Sequence, residues 1–228
     1  MSLYGVSGEK CMFDVRDGLV WGGICAIAAY LIGSVNFSII FSKSVFSKDI
    51  RKLGSGNAGS TNMLRNFGKR MGGVVFVCDV LKGYLPLMLV SQLVKAGHLP
   101  YLCIFVSAVF VILGHLFPVF FGFKGGKGVA TSSGIILATQ PVLFPFVFLV
   151  MLVTVAVTGY VSLGSVICSA LYPFGAVALS LIIDDGHAAG WFCTALLMGA
   201  MVVFMHRSNI KRLIRHEENK INLFKRKK

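Results

Sequence analysis

Residues 129–158 read VATSSGIILATQPVLFPFVFLVMLVTVAVT, and the number of times they cross a bilayer decides the fold. Residues 129–139 are moderately apolar. A helix of that length is only about 16 Å long at 1.5 Å per residue, and a crossing takes roughly 20 residues. Residues 141–158 are strongly apolar. Pro141 disfavours helix at Gln140 and suits a break there.

The rest of the chain supplies the parity. It has 228 residues, of which 56% are hydrophobic and 14% charged, against about 25% charged in soluble domains. That composition predicts a polytopic membrane protein. Long apolar runs at 19–41, 72–94, 99–121, 162–183 and 188–205 are the other spans. Residues 42–71 carry Lys43, Lys48, Arg51, Lys52, Arg65, Lys69 and Arg70. Residues 123–128 carry Lys124 and Lys127, and the tail from His206 carries Arg207, Lys211, Arg212, Arg215, Lys220, Lys225, Arg226, Lys227 and Lys228. The positive-inside rule puts all three segments in the cytoplasm. Lys95 is the only lysine or arginine between the second and third spans, and Asp184-Asp185 has none beside it. Trp21 and Trp191 then fall at the outer interface, where tryptophan is favoured. A single crossing by 129–158 would leave the basic tail outside; two crossings, turning near Gln140-Pro141, put it inside.

The expected fold is therefore an all-α polytopic membrane protein. It has seven transmembrane helices, one short or broken, with the N-terminus out and the C-terminus in. A short helix is tolerated where it lines a polar cavity instead of lipid. Residues 1–18 form an extracytoplasmic extension with no cleavable signal, since Glu9, Asp14 and Asp17 mix with Lys10 and Arg16. Residues 19–205 form the membrane domain. Residues 206–228 form a basic cytoplasmic tail whose first residues complete the site. The net charge of +13 reports orientation and a basic site, with no nucleic-acid partner. Six cysteines form no CxxC and five histidines show no ligand spacing, so no metal site or disulfide framework is expected.

Parity places four polar clusters on one membrane face. Residues 51–65 read RKLGSGNAGSTNMLR. Gly54, Gly56 and Gly59 let the backbone approach a ligand, and successive N–H groups in such a turn form an anion nest. Ser55, Asn57, Ser60 and Thr61 add donors, while Arg51 and Arg65 add charge. The stretch reads as a phosphate cradle, although the same residues also make ordinary polar turns. It is no Walker A loop, because Ser60 stands where that motif requires lysine. The second cluster, 124–131, reads KGGKGVAT and opens the short helix, whose N-terminus favours anions. Lys127, with Gly125, Gly126 and Gly128 around it, suits a second anion site. Lys124 suits a plain basic loop equally well. The third is Ser162 at a helix start, where an N-cap is the simpler reading. The fourth is His206 with Asn209, i and i+3 on one helix face, beside Arg207. A histidine at a helix end is also commonly interfacial. Asp79 and Lys82, i and i+3 inside a span, read as a structural ion pair; His115 is left open.

These pieces together resemble the bacterial acyl-phosphate:glycerol-3-phosphate acyltransferases, the PlsY family. The matching motifs are LGSGNAGSTN (53–62) with Arg65, Asp79 with LKG (81–83), GH (114–115), FKGGKGVAT (123–131), VSL (161–163) and HRxNIxRL (206–213). They cover about residues 30–213; the first 18 residues and the tail after Leu213 lie outside. The resemblance implies a seven-helix enzyme of the bacterial cytoplasmic (inner) membrane, with its active site at the cytoplasmic face. It would transfer a fatty acyl group from acyl phosphate to the 1-hydroxyl of glycerol 3-phosphate, giving lysophosphatidic acid and phosphate. This is the first step of phospholipid synthesis. The implied catalytic residues are Ser55, Arg65, Lys127, Ser162, His206 and Asn209. Gly54, Gly56, Asn57, Gly59, Ser60, Thr61, Gly125, Gly126, Gly128 and Arg207 would gather phosphate. No cofactor is expected, membrane lipid surrounds the protein, and a monomer suffices. The H-x4-D motif of the other acyltransferase class is absent: the fifth residue after each histidine is Cys103, Phe120, Phe192, Lys211 or Ile221. Direct transfer without a serine acyl-enzyme is expected, with either the leaving phosphate or His206 taking the hydroxyl proton. The alternative function is a transporter of a phosphate ester, disfavoured by the one-sided polar clusters and the lack of a repeat.

Overall fold

All regular structure among residues 14–220, the part of the chain that the computed structural model describes, is helical. The expectations placed on residues 1–13, and on Lys225, Arg226, Lys227 and Lys228, lie outside the described residues. The chain divides into two units between Gln140 and Pro141, at the break the sequence marks, so residues 19–205 span parts of both.

In the first unit, α1 (Val15–Gly33) opens on Asp14, whose carboxylate accepts the Asp17 N–H at 2.7 Å. The helix begins four residues before the expected span. It also ends early, because the run 19–41 is two helices. Ser34-Val35-Asn36 interrupts it, and the Asn36 side chain caps α2 (Phe37–Phe46) by accepting the Ile39 N–H at 3.0 Å. An asparagine that satisfies a helix start competes with continued helix. Hydropathy alone does not show this break.

A 3-10 turn at Ile50–Lys52 and the glycine loop lead into α3 (Ser60–Lys95), which contains the expected span 72–94. Gly68 lies at φ 85°, ψ 175° inside it and separates the first two turns from the long membrane segment. Next come α4 (Leu102–Leu116), a 3-10 turn at Val119–Phe121 and α5 (Val129–Thr139). The short helix therefore lies where the sequence puts it. Helix α5 packs along α3 at glycines: a Cβ on Gly83 would lie 2.3 Å from Thr131 O, and one on Gly134 2.0 Å from Val80 O. Small residues are what let membrane helices approach backbone to backbone. Helices α1 and α4 meet in the same way through Gly33 and Gly114.

The second unit holds α6 (Phe144–Thr158), α7 (Val161–Ile183), α8 (Ala188–Met205) and α9 (Arg207–Ile214). Helix α7 packs on both α6 and α8. Between α7 and α8, Asp185 accepts the Ser180 hydroxyl, the His187 N–H and the Trp191 indole N–H.

Both units expose large apolar side chains along their helices, among them Leu19, Ile27 and Leu89 in the first and Phe146, Val157 and Ile182 in the second. Contiguous surfaces of this kind face lipid. Among the described residues, five stretches are long and apolar enough to cross: Val15–Phe46, Ser60–Lys95, Leu102–Phe121, Val161–Ile183 and Ala188–Met205. Helices α5 and α6 have 11 and 15 residues and are apolar but short.

Candidate active site

The 51–65 loop is organised by Asn62, on the first turn of α3. Its buried side chain donates to the carbonyls of Ile50, Leu53 and Asn57 at 3.2, 3.0 and 3.0 Å. Its Oδ1 accepts the Ser55 N–H at 3.2 Å and the Asn66 side chain at 3.0 Å. Gly54 and Gly56 lie at φ +53° and +71°, the left-handed region open to glycine at little cost, and a Cβ on Gly54 would meet Asn62 Oδ1 at 2.5 Å. Ser55 is exposed on this loop, Asn57 is half-buried and Gly59 is buried. Ser60 and Thr61 begin α3 instead of lying in a turn, and Arg65 is exposed on the same short helical segment before Gly68.

Arg51 is a correction. The Asp49 carboxylate takes its guanidinium in three contacts, Nη2 at 2.7 Å and Nε at 3.0 and 3.3 Å, and Arg51 Nη1 donates to Phe121 O at 2.7 Å. The Arg51 hydrogen bonds hold the Asp49 carboxyl down at about 2, against the opposing effect of burial. Arg51 is thus a strut joining this loop to the 119–121 turn, with its charge already matched.

The second glycine loop rests on the C-terminal end of α4. Gly125 N–H donates to Leu116 O and Gly126 N–H to His115 O, both at 3.1 Å. Gly128 caps α5 at φ 86°, so the turn enters the helix through a conformation that side chains resist. Lys127 is half-buried and Lys124 exposed. The Thr131 hydroxyl, in the first turn of α5, is buried with no hydrogen-bond partner among the described residues. The two glycine loops meet: a Cβ on Gly126 would lie 2.8 Å from Ala58 O. The structure thus brings the Lys127 turn to the cradle that holds Ser55.

Beneath them lies a buried polar cluster. Asp79 Oδ1 is 3.0 Å from Lys82 Nζ and 3.8 Å from His115 Nδ1. Lys82 also donates to Val35 O at 2.8 Å. The expected Asp79–Lys82 pair is formed, and His115 Nδ1 faces it beyond hydrogen-bond distance, with no hydrogen-bond partner among the described residues.

In the second unit, Ser162 Oγ donates to Glu218 Oε1 at 3.0 Å, Asn209 Nδ2 to the same oxygen at 2.7 Å, and Arg212 Nε to Oε2 at 2.7 Å. Ser162 is therefore no N-cap; its helix starts without a side-chain cap. The tail returns through His216 at φ 57° and lays Lys220 over the Tyr160 ring. Burial raises the Glu218 pKa, but the bonds from Asn209, Arg212 and Ser162 outweigh it and hold the carboxyl below its ordinary range. Arg212 lies in the 206–213 motif but carries no role in the sequence reading, and Glu218 is not foreseen by it. The available signal is an acidic pair, Glu217-Glu218, inside an otherwise basic tail.

His206 is buried at the α8–α9 junction, with Nδ1 2.8 Å from Val202 O. A carbonyl only accepts, so Nδ1 carries a proton in this contact. Arg207 is exposed, stacked on Phe204 at 4.5 Å and donating to its carbonyl. The structure does not bring it to the Ser162–Asn209–Glu218 cluster.

A family model described as glycerol-3-phosphate acyltransferase matches residues 23–216. A glycerol-3-phosphate acyltransferase of Clostridioides difficile (strain 630) is 42% identical over 204 residues, 87% of this chain and 94% of the relative. One of Aquifex aeolicus (strain VF5) is 38% identical over 194 residues, 85% and 96% of the two chains. The crystal structure of PlsY (YgiH), an integral membrane glycerol 3-phosphate acyltransferase, in its glycerol 3-phosphate form aligns with a TM-score of 0.77 at 36% identity, covering 90% of this chain and 99% of that one. Its lysophosphatidic acid form aligns at 0.74 and 35%, covering 88% and 95%. The chain belongs to the glycerol-3-phosphate acyltransferase family and is an integral membrane protein.

Proposed function

We propose that this protein transfers a fatty acyl group from acyl phosphate to the 1-hydroxyl of glycerol 3-phosphate, releasing lysophosphatidic acid and inorganic phosphate. The observation that carries the reading is the convergence of two glycine-rich turns at Gly126 and Ala58. One turn bears Ser55 and leads to Arg65; the other bears Lys127 at the N-terminus of α5. Both substrates are phosphate esters or anhydrides, so two anion-gathering turns suit them. Family membership, with relatives in glycerol 3-phosphate and lysophosphatidic acid forms, supports the same reaction.

Catalysis is by positioning and charge stabilisation. The glycerol 1-hydroxyl oxygen attacks the acyl carbonyl carbon. The bond from that carbon to the phosphate oxygen breaks, and the phosphate leaves with the electron pair. Lys127 and Arg65 neutralise the charge that grows on it, and the departing phosphate accepts the hydroxyl proton. Ser55 holds phosphate or a glycerol hydroxyl; Ser162, whose proton goes to Glu218, accepts from a glycerol hydroxyl; His206 and Asn209 orient glycerol 3-phosphate. Gly54, Gly59 and Gly128, with Asn57, Ser60 and Thr61, present backbone and side-chain donors, while Gly56 and Gly125, whose N–H groups go to Leu53 O and Leu116 O, shape the two turns. No cofactor takes part.

The protein works as a monomer in the bacterial cytoplasmic membrane with its site at the cytoplasmic face. It crosses seven times, N-terminus out. The packing of α5 along α3 supports counting α5 as a crossing. The test uses detergent-purified protein. Phosphate and lysophosphatidic acid should appear in equal amounts and only when both substrates are present. Phosphate release without glycerol 3-phosphate, or no lipid product, contradicts the proposal.

A further inference from the structure

Gly126 is enclosed from two sides by buried groups of the first unit. A Cβ there would lie 2.2 Å from His115 Nε2 and 2.8 Å from Ala58 O. The His115 ring edge therefore touches the turn directly, while its own carbonyl accepts the Gly126 N–H at 3.1 Å. Behind the ring, Nδ1 faces Asp79 Oδ1 at 3.8 Å, and Asp79 pairs with Lys82 at 3.0 Å. Lys82 donates to Val35 O. The next residue, Asn36, donates to Ala58 O at 3.3 Å, which is the carbonyl on the other side of Gly126. Asn36, Asp79, Lys82 and His115 are all 6% exposed or less. Buried polar groups thus surround one glycine, the residue before Lys127, with a 3.8 Å gap between His115 Nδ1 and Asp79 Oδ1.

Stability alone is a poor reason for this cluster. Buried ion pairs are often no more stabilising than apolar side chains of the same volume, and charges within membrane helices default to functional roles. The cluster reaches the surface of its unit at the two anion turns, which suits a task of placement. We propose that His115, backed by the Asp79–Lys82 pair, is a positioning residue that fixes the 125–128 turn so that Lys127 meets the substrate phosphate. The inference rests on the assignment of Lys127 to phosphate.

A kinetic cycle on folded, detergent-purified enzyme tests it. His115→Phe keeps the ring size and loses the nitrogens. It lowers kcat/KM by about tenfold or more in the wild-type background, but by less than about twofold when Lys127→Ala is already present. His115→Gln, which carries an amide toward the Nε2 position, keeps more activity than His115→Phe. If His115→Phe does not fold, Gly126→Ala replaces it, since its methyl presses the same ring edge. Its loss too should shrink in the Lys127→Ala background. An equal fold-loss in both backgrounds, or no loss in either, overturns the inference and leaves the site standing. A Lys127→Ala enzyme of full activity overturns the Lys127 assignment and this inference with it.

Discussion

Glu218 Oε1 accepts the Asn209 side-chain amide at 2.7 Å, which ties the tail beyond α9 to a residue assigned to substrate. The same carboxylate takes Ser162 and Arg212. Glu218→Gln keeps the shape and loses the charge that strengthens three hydrogen bonds. Charge-assisted bonds contribute about 1.5–3 kcal/mol each when made, and Arg212 is partly exposed, so a net loss of about 2 kcal/mol is expected. That corresponds to a fall of roughly 5 °C in Tm for a chain of this size. Because the folded pKa of Glu218 is depressed, its stabilisation is complete above the unfolded carboxyl range and is lost as pH falls through the folded value. The Tm gap between wild type and Glu218→Gln should therefore be full at neutral pH and narrow in acid. A gap that widens in acid contradicts this role.

Asn62 contacts three loop carbonyls and the Ser55 N–H. Asn62→Ala removes one donor from each of three loop carbonyls, of which Ile50 O and Leu53 O keep the Leu53 and Gly56 N–H, at a total of about 1–3 kcal/mol. Both Tm and kcat/KM should fall, and Asn62→Asp should do little better, because it restores the acceptor but not the donors. Unchanged melting and activity in Asn62→Ala would show that the glycine loop holds its shape by other means.

Topology is tested by reporters. One fused after Gln140 should lie outside the cytoplasm and one after Thr158 inside. The same side for both would remove two crossings from the count of seven.

The short helix α5 and the break at Gln140-Pro141 are legible because proline chemistry and charge parity act locally. The Asp79–Lys82 pair is legible from its i, i+3 spacing. Other features depend on which partner wins. The sequence reading counts the Arg51 charge toward the 51–65 loop, yet Asp49, two residues earlier, pairs with it. The run 19–41 has no hydropathic dip, so the cap at Asn36 shows only once its side chain is seen on Ile39 N–H. Glu218 lies beyond the last matching motif, and its role depends on a reversal at His216 that hydropathy does not encode. His115 is left open by the sequence, and its contact with Gly126 comes from tertiary packing between α4 and the loop before α5.

The central claim is that the 124–128 turn gathers substrate phosphate through Lys127 at the N-terminus of α5. Lys124 and Lys127 share one short loop, so membrane orientation treats them alike. Only Lys127 stands one residue before the helix cap, half-buried, while Lys124 is exposed. The direct measurement is kcat/KM of Lys127→Ala and Lys124→Ala, each folded and purified in detergent. Lys127→Ala should lose at least about tenfold, equivalent to roughly 1.4 kcal/mol of transition-state stabilisation, and Lys124→Ala should change little. A large loss for Lys124→Ala with Lys127→Ala unaffected would contradict the claim and put the phosphate at the other end of the loop.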